Sequence, residues 1–240
     1  LKAYSDALLA WYEEGFWAVG GVVFDVGVQT ADALNAYKRG IPATDCGLMN
    51  PEGKGNGALM RVLPLALWHF VQGNTDLEKR SRELVRDAHS QCQITHGHLC
   101  NQVCCALYCL AAQGLLEGKE AREAIQEGVC VLRSIYREQP EYERELEWSV
   151  RPDIPWEGRG TGYVVDCLRS AFMVLEQASD YEDAVKRAVL LGHDTDTTAC
   201  VTGGLAGIRN GLQEIPKGWL KALKEKVERL LRLLFSKGKA

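Results

Sequence analysis

Residues 192–201 read Gly-His-Asp-Thr-Asp-Thr-Thr-Ala-Cys-Val, and they are the most informative stretch of the chain. The stretch follows an apolar run, residues 188–191, and leads into small residues and glycines with helical periodicity. It places the carboxylates of Asp194 and Asp196 among three threonine hydroxyls. Hard oxygen donors at this density suit Mg²⁺, Mn²⁺ or Ca²⁺ rather than a soft metal. The stretch therefore predicts one side of a cation site.

Residues two apart on a helix point away from each other. Asp194 and Asp196 can serve one ion only if they lie in the turn before a helix or in its first residues. The structural alternative is an aspartate N-cap followed by a second acid that the helix dipole favours, each worth about 1 kcal/mol. One aspartate would meet that need, so the pair favours a metal role. An EF-hand is excluded, because its required glycine and glutamate would fall on Ala199 and Leu205.

The composition is that of an ordinary globular protein. The 240 residues are 46% hydrophobic and 25% charged, and the net charge of −4 argues against nonspecific binding to nucleic acid. We see no signal peptide and no apolar run of the length that a membrane span requires, so we expect a cytoplasmic protein without a membrane partner. Moderate charge favours a monomer.

Helical periodicity dominates the chain and predicts an all-α fold. We expect helices near 2–13, 28–39, 77–91, 97–113, 120–137, 161–177 and 181–190. Three further apolar stripes predict helices, and they consist of Leu59, Val62, Leu63, Leu65, Ala66 and Trp68; of Val201, Leu205, Ile208 and Leu212; and of Leu220, Leu223, Val227, Leu230, Leu231 and Leu234. The loops 15–25, 40–57, 150–160 and 191–196 are the expected walls of one cleft. Because no low-complexity linker divides the sequence, we predict a single domain over residues 1–240.

Nine cysteines are present, and five of them cluster at helical spacing or beside it. No Cys-x-x-Cys pair occurs, which disfavours a zinc site. We interpret these cysteines as reduced, buried, small apolar residues.

Two glycine-rich segments are candidates for ligand binding. Residues 53–61, Gly-Lys-Gly-Asn-Gly-Ala-Leu-Met-Arg, bring bare backbone to a helix start, where N–H groups can hold a phosphate or a ribose. A flexible loop explains the same glycines equally well. Residues 160–163, Gly-Thr-Gly-Tyr, also place bare backbone before a helix, with a ring that can stack on a base. A purely structural turn is an equal alternative.

Two single residues complete the candidates. His96 precedes the cysteine-bearing helix and is either a ligand-binding imidazole or an ordinary surface or core histidine. Asp25 is either a general acid/base or an N-cap.

These pieces, in this order, resemble the ADP-ribosylglycohydrolases, the family that includes the dinitrogenase reductase-activating glycohydrolase. The likeness covers nearly the whole chain, and the last segment and the Asn-Gly loop are its most specific parts. The matching segments are Trp11–Trp17, Phe24–Gly27, Gly55–Val62, Thr95–His96, Gly160–Asp166 and Gly192–Thr197.

The resemblance implies an orthogonal all-α bundle with two Mg²⁺ or Mn²⁺ ions at the floor of a cleft. By this likeness Asp194, Asp196 and Thr197 are metal ligands, and Asp25 assists bond cleavage. The substrate-binding residues it implies are Gly55, Asn56, Gly57, His96, Gly162 and Tyr163. The implied reaction is hydrolysis of the bond between the distal ribose of ADP-ribose and an amino-acid side chain or a small conjugate, with the ions orienting the sugar and polarising water.

One departure from the family pattern bears on activity. The other half of the family's metal site is a Thr-Asp-Asp-Thr-like motif near the N-terminus, and this sequence does not contain it. We expect this motif to lie just before Leu1, so that half of the metal-ligand set is absent from the sequence. The alternative is a natural protein that has only half of the metal site. The alternative function is a non-catalytic member, which either binds ADP-ribose or is structural, as the family's lens-crystallin relatives are.

Overall fold

The computed structural model describes residues 1–73 and 76–222. Within them the chain forms eleven α-helices joined by short loops and 3₁₀ turns, and no strand. The helices are α1 (Lys2–Glu14), α2 (Val28–Lys38), α3 (Leu63–Val71), α4 (Leu77–Gln93), α5 (Leu99–Leu116), α6 (Ala121–Tyr136), α7 (Pro140–Arg144), α8 (Val164–Gln177), α9 (Tyr181–Leu190), α10 (Thr195–Asn210) and α11 (Lys217–Ala222).

Helix α5 is the centre of the bundle, because its apolar residues cover its whole circumference. Every residue from Cys100 to Leu115 is buried, and α3, α4, α6, α8 and α10 all pack around it. By length and composition α5 could also cross a membrane, so the expectation that no run approaches that length is wrong. Most of its surface is buried inside this protein, as is usual for the core helix of a bundle.

The helices around α5 have one apolar face each. In α6 the residues Ala124, Ile125, Val129 and Leu132 are buried, while acidic and basic residues cover the outer face. Helix α4 begins at an N-cap, Asp76, whose side chain accepts a hydrogen bond from the Lys79 N–H at 3.0 Å. Capping by a side chain and burial of one apolar face thus both stabilise these helices.

The predicted helices are confirmed, with boundaries that differ by a few residues. The pattern did not predict α7 or the following π-helix, Glu145–Val150, in which Leu146 and Val150 face the core. Leu59 belongs to a separate 3₁₀ turn, and α3 starts at Leu63 with a proline in its first turn. The apolar stripes predicted from the sequence include residues that do not face the core, since Trp68 is 55% and Leu212 is 62% exposed. Of the third stripe, Leu220 lies in α11, and the residues from Leu223 onward lie outside the described residues.

All nine cysteines are free, as expected, and seven of them are buried. The Sγ atoms of Cys92 and Cys105 are 3.8 Å apart, within the packing of α4 against α5. These thiols fill space between helices as small apolar groups do, and burial raises the pKa of Cys109 well above its usual value.

Candidate functional site

The site is built around the start of α10. Gly192 and His193 both have left-handed backbone, with φ of 80° and 56°, so the chain turns sharply between α9 and α10. Asp194 follows as the N-cap residue, and its carbonyl accepts the Thr198 N–H at 3.0 Å. Asp196 is the second residue of the helix. The two aspartates thus lie where the sequence required them to lie, in the lead-in and the first turn.

Asp194 contacts the glycine loop, defined here as residues 53–57. The Asn56 Nδ2 donates a hydrogen bond of 2.8 Å to Asp194 Oδ2, and Asn56 is only 8% exposed. Partial burial raises the pKa of the Asp194 carboxyl, but the hydrogen-bonding groups of Asn56 and Thr197 outweigh it and hold the pKa below the usual value. Asp194 therefore carries its negative charge at neutral pH and faces the loop.

The glycine loop also pairs with the segment before α8. The Asn56 N–H donates to the Gly162 carbonyl at 3.0 Å, and the Val164 N–H donates to the Lys54 carbonyl at 2.9 Å, which forms an isolated antiparallel bridge. A Cβ built on Gly162 would lie 3.5 Å from Asp194 Oδ2. Three segments that are distant in sequence therefore meet here: the glycine loop, residues 160–164 and the start of α10.

Asp166 orders the turn that presents Tyr163. Its carboxylate accepts hydrogen bonds from the Arg159 N–H at 3.0 Å and the Thr161 N–H at 2.7 Å. On the other side of the turn, the Gly160 carbonyl accepts the Asp194 N–H at 2.8 Å. Tyr163 keeps 41% of its surface exposed, and burial of the remainder raises the pKa of its hydroxyl. The ring is therefore a neutral surface beside the site.

Two amides hold the glycine loop from the core side. Asn101, fully buried on α5, donates to the carbonyls of Gly55 at 2.8 Å and Gly53 at 3.3 Å. Gln29 in α2 also donates to the Gly53 carbonyl, at 2.9 Å. Sequence reasoning missed both residues, although an asparagine inside the apolar run of α5 was the available signal.

His96 packs against the glycine loop. It is 3% exposed, and a Cβ added to Gly57 would approach its Cε1 to 2.8 Å. The hydroxyl of Thr95 hydrogen-bonds to its Nδ1 at 2.8 Å. Burial, together with the positive charge of Arg61, lowers the pKa of His96 to about 3. The imidazole is therefore neutral at physiological pH, and it can hydrogen-bond to a ligand without carrying charge.

The remaining predicted residues lie near these contacts without joining them. Asp25 is exposed, with left-handed backbone (φ 50°), in the loop before α2. It precedes Gln29, which binds the glycine loop, and Thr30, whose Oγ1 would lie 3.4 Å from a Cβ at Gly57. The structure thus brings Gly55, Asn56, Gly57, His96, Gly162, Tyr163 and Asp194 together, whereas no hydrogen bond or ion pair ties Asp25 to another described residue.

The donors at the start of α10 are of the kind that Mg²⁺ and Mn²⁺ prefer. Asp194, Asp196 and Thr197 offer carboxylate and hydroxyl oxygens, and Asp196 is exposed. Among residues 1–73 and 76–222 no group of three or more His, Cys, Asp and Glu side chains lies close enough together to hold an ion. These residues fit part of a six-oxygen shell, and the rest of such a shell needs other donors, such as water.

The fold is an all-α bundle whose loops bring an aspartate pair, a glycine loop and a neutral histidine to one helix start. The model of the ADP-ribosylglycohydrolase family matches residues 1–239, and the chain belongs to that family.

Relatives and a solved structure agree with this membership. The chain is 29% identical to the ADP-ribosylarginine hydrolase Tri1 of Serratia proteamaculans over 98% of its own length and 61% of that protein. It is 27% identical to the ADP-ribosyl-[dinitrogen reductase] glycohydrolase of Rhodospirillum rubrum, over 84% of the chain and 63% of that protein. A solved structure described as an ADP-ribosylglycohydrolase-related protein complex is similar with a TM-score of 0.69 and 26% identity, over 96% of this chain and 70% of that one. The chain therefore spans about three fifths of the length of the curated relatives it matches.

Proposed function

We propose that the chain takes part in hydrolysis of the glycosidic bond between ADP-ribose and an amino-acid side chain, with an arginine conjugate as the first substrate to test. The observation that carries the proposal is the 2.8 Å hydrogen bond from Asn56 to Asp194. It joins the loop with bare backbone to the acids suited to a metal. The names of the Tri1 and dinitrogen reductase relatives support the same chemistry.

In this proposal the glycine loop binds the diphosphate and the distal ribose. The N–H groups of Gly55 and Gly57 donate no hydrogen bond to any residue in the described ranges, so both can serve a ligand. His96 lies beside them as a neutral hydrogen-bonding group. The exposed face of Tyr163 offers a surface on which the adenine stacks.

We propose Asp194, Asp196 and Thr197 as ligands of one side of a Mg²⁺ or Mn²⁺ site. A divalent ion bound there supplies positive charge that orients the ribose hydroxyls and polarises a water. The chain's own contribution is to keep Asp194 ionised and aimed at the loop, through the hydrogen bond from Asn56. Asp25 is the proposed carrier of the proton, since it is exposed and lies four residues before the loop contact of Gln29.

The test is release of ADP-ribose from an ADP-ribosyl-arginine peptide, followed by chromatography with Mg²⁺, with Mn²⁺ and with EDTA. Because the proposed ligands hold the ion from one side only, we expect slow release. It should need the metal and fall by about tenfold or more in D194N and D196N, since each removes a charged ligand. D153N, which alters an exposed aspartate paired with Arg133, is the matched control and is expected to release ADP-ribose at the wild-type rate. Binding of ADP-ribose without release, unaffected by EDTA, would instead support the non-catalytic alternative.

A further inference from the structure

Arg61 is a partly buried cation on the core side of the glycine loop. Its Nη1 donates to the Gly57 carbonyl at 3.1 Å, and its Nη2 donates to the Gln91 carbonyl near the end of α4 at 3.0 Å. Its Nε is buried and donates no hydrogen bond to any described residue. No carboxylate in the described ranges forms an ion pair with it.

Two other arginines in the bundle are satisfied more completely, whereas Arg209 shares with Arg61 a buried guanidinium nitrogen that has no partner among the described residues. Arg80, which is 7% exposed, forms an ion pair with Glu117. Arg169 has carbonyl partners only, but its Nε, Nη1 and Nη2 all donate, and its guanidinium lies 5.0 Å from the Trp156 ring centre. Removing a positive charge from water without a counter-charge costs free energy. The incomplete pairing of Arg61 is therefore a cost that an anion nearby would offset.

The orientation of the carbonyls in the glycine loop indicates which side of the loop favours an anion. A carbonyl oxygen repels an anion, and the Gly55 and Gly57 carbonyls are both held by donors from the core, Asn101 and Arg61. The N–H groups of the same two glycines have no partner among the described residues. A loop that turns its carbonyls to the core and keeps its N–H groups unpaired has the chemistry of an anion site.

We propose that Arg61 is a positioning residue for an anionic diphosphate on the glycine loop: it holds the Gly57 carbonyl on the core side and supplies a permanent positive charge beneath the loop. The proposal rests on the proposed function for the identity of the ligand, and it adds a residue that does not itself touch the reacting atoms. Burial is the main cause of the low pKa of His96, and the Arg61 charge lowers that pKa further.

The experiment compares three probes in metal-free buffer by isothermal titration calorimetry: ADP-ribose, inorganic pyrophosphate and adenosine. For R61M we expect about tenfold weaker binding of ADP-ribose and of pyrophosphate, and adenosine binding within about twofold of wild type, because only the first two carry the diphosphate charge. R61K keeps the charge and is expected to recover part of the loss. R137M removes the same charge at an exposed position just after α6 and is the matched control.

A readout without ligand accompanies the titrations, namely the pKa of His96 followed by NMR. We expect this pKa to rise in R61M and to stay low in R61K and R137M. Should R61M not fold, R61K and the salt dependence of pyrophosphate binding by the wild type carry the test, since the inference requires affinity that falls as KCl rises.

The two proposals fail in different ways. If the wild type binds pyrophosphate but not ADP-ribose, the proposed function fails, and loss of pyrophosphate binding in R61M still upholds the role of Arg61. Equal weakening of adenosine and ADP-ribose in R61M shows general damage and overturns that role. The role of Arg61 is also overturned if the wild type binds neither ADP-ribose nor pyrophosphate, or if KCl does not weaken the binding of pyrophosphate.

Discussion

Asn56 and Asp194 are 138 positions apart in the chain, and the Asn56 amide nitrogen lies 2.8 Å from an Asp194 carboxylate oxygen. The contact joins a loop before α3 to the first turn of α10. Asn56 and Asp194 are both also hydrogen-bonded to the segment 160–162. The Asn56 N–H donates to the Gly162 carbonyl, and the Asp194 N–H donates to the Gly160 carbonyl. Binding of a ligand by the loop and of a cation by the aspartates would therefore be coupled through one pair of side chains.

Replacing Asn56 by alanine should weaken that coupling. N56A removes a hydrogen bond to a charged group, so we expect a loss of about 1–2 kcal/mol in the free energy of unfolding and weaker binding of ADP-ribose. Urea denaturation and calorimetry measure the two effects. N35A is the control, because Asn35 lies at a half-buried position of α2 and its side chain forms no hydrogen bond with any described residue. If N56A leaves the affinity for ADP-ribose unchanged, the glycine loop is not part of the binding site.

The aspartates should make stability depend on Mn²⁺. An ion that binds only the folded protein stabilises it by RT ln(1 + [L]/Kd), so the thermal midpoint rises with the ion concentration. We expect 5 mM Mn²⁺ to raise the midpoint of the wild type and of D153N, and to raise that of D196N less. Differential scanning fluorimetry with and without EDTA measures this. An equal rise in all three proteins would place the ion elsewhere.

The sequence predicted the helices well because each has either a buried apolar face or, in α5, an apolar surface all round. It also predicted that Asp194 and Asp196 lie at a helix start, and their positions confirm this. It could not predict α7 and the π-helix, where acidic residues conceal the spacing of Leu146 and Val150. Nor did it predict the partners of Gln29 and Asn101, because these partners are carbonyls of a loop distant in sequence. Such contacts depend on the packing of α2 and α5, which periodicity does not encode.

Glycine at position 57 should be required for the position of His96. A Cβ there would lie 2.8 Å from His96 Cε1 and 3.0 Å from Nε2, and the ring is too buried to move freely. We expect G57A to lower the free energy of unfolding by about 1–3 kcal/mol and to weaken ADP-ribose binding. In G218A, in α11, the added Cβ meets nothing within 4 Å, so neither quantity should fall. Wild-type behaviour of G57A would show that the loop adapts.

Thiol reactivity should divide the cysteines by burial. Cys130 and Cys200 are exposed, and the other seven are buried and free. In the native protein we expect Cys130 to react rapidly with Ellman's reagent and Cys200 more slowly, because burial of its thiol raises the pKa of Cys200. All nine thiols should react after unfolding in guanidinium chloride, and C130S should remove the rapid phase. Rapid reaction of more than two thiols in the native wild type would show that the packing around α5 opens.

Partly buried His89 and buried His96 should make the fold sensitive to mild acid. Burial lowers the pKa of His89 to about 4, and burial with the Arg61 charge lowers that of His96 to about 3, whereas an unfolded histidine titrates near 6.5. Between pH 6.5 and 4 the unfolded chain therefore binds up to two more protons than the folded one. Stability is present above pH 6.5 and falls as the pH decreases through this window, by at most about 2–3 kcal/mol per pH unit for the pair.

Substitution of one of the two histidines tests this assignment. H89Q can keep a hydrogen bond to the Tyr136 hydroxyl, which lies 2.7 Å from His89 Nε2, and it removes one titrating group. Urea unfolding at pH 7, 6 and 5 should show about half the histidine-dependent slope in H89Q, whatever its stability at pH 7. N35A, which removes no titratable group, should keep the wild-type slope. If H89Q also keeps that slope, the proton uptake on unfolding comes from groups other than His89. The His89 ring is then less buried in solution than its stacking on Tyr136 and Tyr142 indicates.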